Sequence, residues 1–278
     1  MNPPFLRGYR HLKIPIIDEF GSPAWPELFP ISKIDEIRDT VGPRHFSAQM
    51  MLEYVSIDRV RLDPGAVCFY DSEFDTKTAK IKNHDNYDDF LITGSALYWD
   101  PSSGREGSDH SVCTLLYRDD KNRRVFIHDI LYLSDIEDEL HPLAIQCDKI
   151  LNFMKKHNQK VIGIETNGVG GTFPEILRDA GMRRGTSIVV KQIANHKRKE
   201  LRIIDSIEPL LTTGRLFSHE RVRNSPLISE MFGWSPLAHG EHDDGLDAIA
   251  GAIMMPPNPI RALGTIFKKF NAKTDFKI

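Results

Sequence analysis

The chain reads as a mixed α/β domain, and two patterns carry that reading. Three strand-length apolar runs come first, near 91–99, 111–118 and 124–131, and helical and strand segments then alternate as far as residue 254. Early strands in succession favour an antiparallel start, and the alternation that follows adds strands by crossovers whose helices cover the sheet faces. The expected architecture is a mixed sheet flanked by helices, preceded by a small, mostly helical N-terminal segment.

In chain order, helical patterning covers 31–40 and 44–55, and 71–89 is polar and irregular. The runs Leu91-Ile92-Thr93-Gly94-Ser95-Ala96-Leu97-Tyr98-Trp99 and Val161-Ile162-Gly163-Ile164 each have the length and bounding turn residues of a buried strand. Between them, 141–157 has helical periodicity. A helix is expected over 173–180 with Gly181 as its stop, then a strand over 187–191, a helix over 196–211 ending near Gly214, and a strand over 215–219. The apolar run that follows His242 is long enough for a final helix, and no internal repeat is visible.

Composition fits one substantial domain with an appendage: 278 residues, of which 40% are hydrophobic, can fill a core. No run approaches the ~20 apolar residues of a membrane span, and Met1-Asn2-Pro3-Pro4-Phe5-Leu6-Arg7 lacks a signal-peptide core, so a soluble, non-secreted protein is expected. Cys68, Cys113 and Cys147 are odd in number and widely spaced, which argues against a disulfide framework or a structural zinc.

Four acids stand out by position. Asp100 ends one strand and Glu165 another, while Asp243 and Asp247 fall at i and i+4 of the last helix, where they project together near the positive end of its dipole. Carboxylates gathered from distant parts of a chain suit hard divalent cations, Mg²⁺ or Mn²⁺, and a pair of such ions clamps the attacking and leaving oxygens of phosphoryl transfer. Acids in these places also serve as caps and solvated charges, so it is the combination that points to a two-metal centre. Glu165 opens the turn Glu165-Thr166-Asn167-Gly168-Val169-Gly170-Gly171, which lacks the lysine of a Walker loop. A zinc reading of His239-Gly240-Glu241-His242 fails on spacing, and His242 is expected to orient the carboxylates or a water. The acidic run 135–139 is expected to cap the helix after it.

Net charge is only −3, but the distribution is uneven. Lys197, Arg198, Lys199 and Arg202 form one basic cluster and Arg221 and Arg223 follow the next strand, all expected as contacts to nucleic-acid phosphates. A solvated helix face would give the same pattern.

From Leu91 to Met255 the sequence resembles the nuclease domain of the large terminase subunit of tailed bacteriophages, an RNase H-like fold. Four stretches carry the resemblance in the right order. They are Tyr98-Trp99-Asp100-Pro101 with Gly107-Ser108-Asp109-His110-Ser111, then Ile164-Glu165-Thr166-Asn167-Gly168-Val169-Gly170, then Lys199-Glu200-Leu201-Arg202-Ile203, then His242-Asp243-Asp244-Gly245-Leu246-Asp247-Ala248. The resemblance implies a two-metal DNA endonuclease in which Asp100, Glu165 and Asp243 bind the ions, with Asp247 as a further acid and Asp109 and Asp244 matching acidic positions of undivided role. It also implies double-stranded DNA as substrate, with a terminase ATPase motor, small terminase subunit and portal as partners in the host cytoplasm.

Residues 23–30 and 41–49 resemble the family's segment joining motor and nuclease, yet the chain contains no G-x-x-x-x-G-K-[ST] motor motif. The expected division is therefore 1–89 as a linker-like segment, 90–258 as nuclease and 259–278 as a basic tail. Two alternatives stand beside this reading: another RNase H-like nuclease, such as a Holliday-junction resolvase or an RNase H type enzyme, and a non-catalytic DNA- or portal-docking module.

Overall fold

The computed structural model describes residues 8, 12–53, 62–84, 88–102, 110–133, 142–167, 171–236 and 243–262. Helix α1 (Ile31–Gln49) is two helices merged across a kink at Gly42, where φ is 79°. The strands are β1 (Cys68–Tyr70), β2 (Phe74–Asp75), β3 (Lys80–Ile81), β4 (Phe90–Leu91), β5 (Gly94–Asp100), β6 (Val112–Asp119) and β7 (Arg124–Tyr132). Then come α2 (Pro142–Lys156), β8 (Val161–Glu165), α3 (Phe173–Arg183), β9 (Val189–Ile193), α4 (Lys199–Thr212) and β10 (Leu216–His219). The chain closes with α5 (Pro226–Gly233), α6 (Asp244–Met254) and β11 (Asn258–Pro259).

The main sheet runs β1-β10-β7-β6-β5-β8-β9, with β11 alongside the start of β5. Strands β5, β6 and β7 are antiparallel neighbours, and β8 and β9 are added in parallel beyond β5. On the other flank, β10 and β1 are parallel additions to β7. The first three long strands are thus a meander and the later ones arrive by helical crossovers, which is the order the apolar runs predict.

Alternation along β5 explains the two cores. Leu97 and Trp99 join Ile162 and Ile164 of β8 in a cluster with Cys147 and Ile150 of α2 and Leu177 of α3. Ala96 and Tyr98 point the other way, into a cluster with Ile203, Ile204 and Ile207 of α4 and Leu246, Ile249 and Ala252 of α6. Because side chains alternate with period two, Asp100 and Glu165 emerge on the same side as Tyr98, beneath α4 and α6. Helix α6 lies close against the sheet: a Cβ at Gly251 would stand 2.4 Å from Cζ of Tyr98.

Some elements depart from the pattern reading. The stretch 71–89 contributes β2 and β3, which pair with β4 in a small antiparallel sheet. Helix α3 continues past Gly181, because that glycine packs beside Thr186 and Ile188 and a left-handed residue comes only at Gly185, φ 66°. Strand β1 and helix α5 were not anticipated. The three cysteines are free thiols, two of them buried. Among the described residues, no helix is long and apolar enough to cross a membrane.

Candidate active site

Strand register brings the first two acids together. Tyr98 pairs with Gly163 and Trp99 with Ile164, so the next rung sets Asp100 beside Glu165 at the carboxyl ends of β5 and β8. Parallel neighbours of an α/β sheet end on the same side, and sites form at such ends. The N-terminal turns of α4 and α6 converge over the same edge and add Lys199, Arg202, Asp243, Asp244 and Asp247.

Asp243 was expected on the helix face with Asp247; it is instead the N-cap of α6, with φ −138°, and its carbonyl accepts the Asp247 N–H at 3.0 Å. The two side chains still meet one cation. Lys199 Nζ lies 2.6 Å from Asp243, 3.5 Å from Asp244 and 3.9 Å from Asp247. Arg202 is 4% exposed, donates to Asp247 through Nε at 2.7 Å and through Nη2, and reaches Glu165 through Nη1 at 3.4 Å.

Glu165 is further held by Tyr98 Oη at 2.7 Å and Asn195 Nδ2 at 2.9 Å, both donating to Oε2. Asp244 accepts the backbone N–H of His110 at 2.8 Å. Asp100 alone has no side-chain hydrogen bond or ion pair among the described residues. Its carboxyl is held well above the usual range, by burial first and then by the charges of Asp247 and Glu165, which Lys199 and Arg202 only partly offset. Asp247 is pushed up to about 6 by burial against the pull of Arg202 and Lys199. Burial alone would lower Lys199, yet its hydrogen bond to Asp243 and the three neighbouring carboxylates raise it.

The remaining basic residues are dispersed. Lys197 pairs with Asp205, and Arg198 stands 3.5 Å from Glu200 at the exposed start of α4. Arg221 is engaged by Glu73 and His219, and Arg223 by Glu220 while it stacks 3.7 Å over Phe69. Both follow β10, three strands away from β5, so the fold does not bring them to the acids. Asp109, His242, His239, residues 168–170 and the run 135–139 lie outside the described residues.

Sequence reasoning missed three supporting groups. Asn195 follows β9 just as Glu165 ends β8, a strand-end position that could have drawn attention. Tyr98 shares the parity of Asp100. Glu230 of α5, raised to about 7 chiefly by burial, accepts the Leu246 N–H at 3.1 Å and the Tyr132 hydroxyl at 2.9 Å, tying down the start of α6; no sequence signal marked it.

The donor set for a metal is all oxygen and comes from three elements, which suits a hard divalent cation. As the side chains stand, no group of three or more His, Cys, Asp or Glu among the described residues is poised to hold an ion. Two cations, Lys199 and Arg202, stand among the acids instead.

A three-strand meander extended by parallel strands, with acids at its central carboxyl ends, defines an RNase H-like domain. Residues 100–216 match the family described as Terminase Bacteriophage T7, Ribonuclease H-like domain. Solved structures similar to the chain include the nuclease domain of the P22 large terminase, at 12% identity and TM-score 0.49 over 72% of this chain and 93% of that one. The large terminase (g2p) nuclease domain from bacteriophage SPP1 with bound Mn gives 12% and 0.42, over 69% and 97%. RuvC from T. thermophilus in complex with a Holliday junction substrate gives 10% and 0.36, over 59% and 99%. No curated protein matches the chain.

Proposed function

We propose that the chain is a divalent-metal-dependent DNA endonuclease that cuts concatemeric viral DNA during genome packaging. The observation that carries the proposal is Asp100: a half-buried carboxyl group facing Asp247 and Glu165, with no side-chain hydrogen bond or ion pair among the described residues. An acid set beside two others by a fold that pairs those neighbours is suited to binding a cation. Asp100, Glu165, Asp243 and Asp247 would hold two ions, Mg²⁺ or Mn²⁺, once the flexible Lys199 side chain, 34% exposed, moves off Asp243. Bound there, the ions would supply a water of lowered pKa and Lewis acidity for the departing oxygen.

The chain's own residues then divide the remaining work. Arg202 is buried and fixed between Asp247 and Glu165, so it orients both carboxylates and does not reach DNA. Lys199, displaced from Asp243, can meet a backbone phosphate at the rim beside Lys197 and Arg198. Contacts of that kind read no bases, so weak sequence preference and strong salt dependence follow. Double-stranded DNA is the proposed substrate, with an ATPase motor, small terminase subunit and portal as partners in the host cytoplasm. The division into 1–89, 90–258 and 259–278 belongs to this proposal, although β1 is an edge strand of the main sheet.

The test is cleavage of supercoiled plasmid and linear duplex with Mn²⁺, Mg²⁺ or EDTA, the Asp100→Asn variant run alongside. Metal-dependent nicking that the variant lacks is expected. Cutting by Asp100→Asn at the wild-type rate would refute the site, and selective cutting of four-way junctions or RNA–DNA hybrids would move the substrate to the resolvase or RNase H alternative. Inertness of the wild type in every condition would favour the docking module.

A further inference from the structure

We infer that Asn195 is a positioning residue which, with Tyr98, fixes the Glu165 carboxylate so that Oε1 is the oxygen presented to a divalent cation. The inference rests on the proposed metal centre and concerns a residue outside it. Asn195 Nδ2 donates to Glu165 Oε2 at 2.9 Å and to Tyr98 Oη at 2.9 Å, while Tyr98 Oη donates to the same Oε2 at 2.7 Å. One carboxylate oxygen thus receives two short hydrogen bonds. Among the described residues, the other meets only the longer contact from Arg202, at 3.4 Å. The reverse amide orientation would turn Oδ1 toward the carboxylate, so the donor arrangement is the one the charge selects.

The backbone around Asn195 is built to hold that amide still. Asn167, two residues past Glu165, accepts the Asn195 N–H at 3.2 Å and donates to its carbonyl, and Thr166 N–H reaches the Ile193 carbonyl at 2.9 Å. The segments leaving β8 and β9 are therefore stapled together through backbone groups of Asn195, which leaves its side chain free to serve Glu165. Tyr98 is fully buried and stays neutral, since burial and the Glu165 charge both raise its pKa. Partners that orient metal-binding groups in this way typically govern affinity by about 10–100-fold.

Mn²⁺ binding by titration calorimetry, on wild type, Asn195→Ala, Tyr98→Phe and Asp100→Asn, tests the idea. Asn195→Ala keeps the backbone staple, and Tyr98→Phe keeps the core ring, so both should unfold in EDTA close to wild type. Each should bind Mn²⁺ about 10–100-fold more weakly, and raising Mn²⁺ to saturation should restore Asn195→Ala nicking. If the wild type binds Mn²⁺, Asp100→Asn does not, and both positioning variants bind as tightly as wild type, the inference is overturned and the site stands. Failure of saturating Mn²⁺ to restore nicking also overturns it, because a residue that only supports the fold is not rescued by occupancy. No Mn²⁺ binding by the wild type, or equal binding by Asp100→Asn, overturns the metal centre and this inference together. Should Asn195→Ala fail to fold, the isosteric Tyr98→Phe decides the question.

Discussion

Removing Arg202 should be the most damaging single change at the acid cluster. Its guanidinium is buried, bonded twice to Asp247, once at 2.7 Å, and once to Glu165 at 3.4 Å. In Arg202→Met the apolar stem is largely preserved, so what is lost is the charge, and two buried carboxylates remain. Breaking a buried pair from one side costs roughly 3–5 kcal/mol, because the orphaned partner stays desolvated. For a chain of this size that is a drop in Tm of about 6–20 °C. Protonation offers a partial escape, since Asp247 is already pushed up to about 6. Without Arg202 it would take up a proton more readily, and the loss should shrink by about 1.4 kcal/mol per pH unit over which only the folded state is protonated. Urea unfolding followed by circular dichroism in EDTA, at about pH 7.5 and about pH 5, measures both effects. A loss under about 1 kcal/mol at the higher pH, or an equal loss at both, would refute the reasoning.

Three raised carboxyls should each withdraw stability from the metal-free protein as pH rises. A carboxyl whose folded pKa exceeds its unfolded value contributes stability that is complete below the unfolded value and disappears as pH passes the folded one. Asp247, at about 6, and Glu230, at about 7, both have this sign, and Asp100 is shifted the same way. Compared in EDTA, the wild-type urea midpoint should thus fall relative to that of Asp247→Asn between about pH 4 and 6, because His128 and His219, held low by burial and acting in the opposite sense, are common to both; a difference that moves the other way would contradict the burial argument. Lys199→Ala should bind Mn²⁺ more tightly, by about tenfold or more, because the ammonium 2.6 Å from Asp243 no longer competes for the carboxylate; calorimetry showing equal or weaker binding would mean that Lys199 does not stand where the ion goes.

The sheet was legible because its strands are simple signals. A strand buried on both faces is a continuous apolar run, and 161–165 was bounded to the residue. The convergence of Asp100, Glu165, Asp243 and Asp247 was also expected, and the parity of β5 and β8 gives the physical reason that the first two share a face. Burial was not legible. Lys199 and Arg202 looked like phosphate contacts because a sequence shows charge but not exposure, and Arg202 turns out to be an internal counterion. Short strands escaped for a different reason: β2 and β3 are two residues each, too brief to establish alternation. Glu230 and Asn195 escaped because their hydrogen-bonded neighbours lie far away in the sequence, which leaves no spacing to read.

Five carboxylates and two cations within one cluster are a poor arrangement for stability alone, and the fold spends its other features on tolerating them. The N-terminal turn of α6 puts the positive end of its dipole beside Asp243, Asp244 and Asp247. Glu230 and His110 tie that turn to α5 and to the segment before β6, and the close approach at Gly251 seats the helix on Tyr98, whose hydroxyl reaches Glu165. Among the described residues, every acid of the cluster except Asp100 has thereby been given a partner. Neutralising Asp100 alone would relieve repulsion from Asp247 and Glu165 at no loss of hydrogen bonds among the described residues, so an ionisable group there is consistent with the proposed cation. Four paired carboxylates would be satisfied as an ion-pair network, so it is the half-buried Asp100, without a donor among the described residues, that most favours the proposed metal centre.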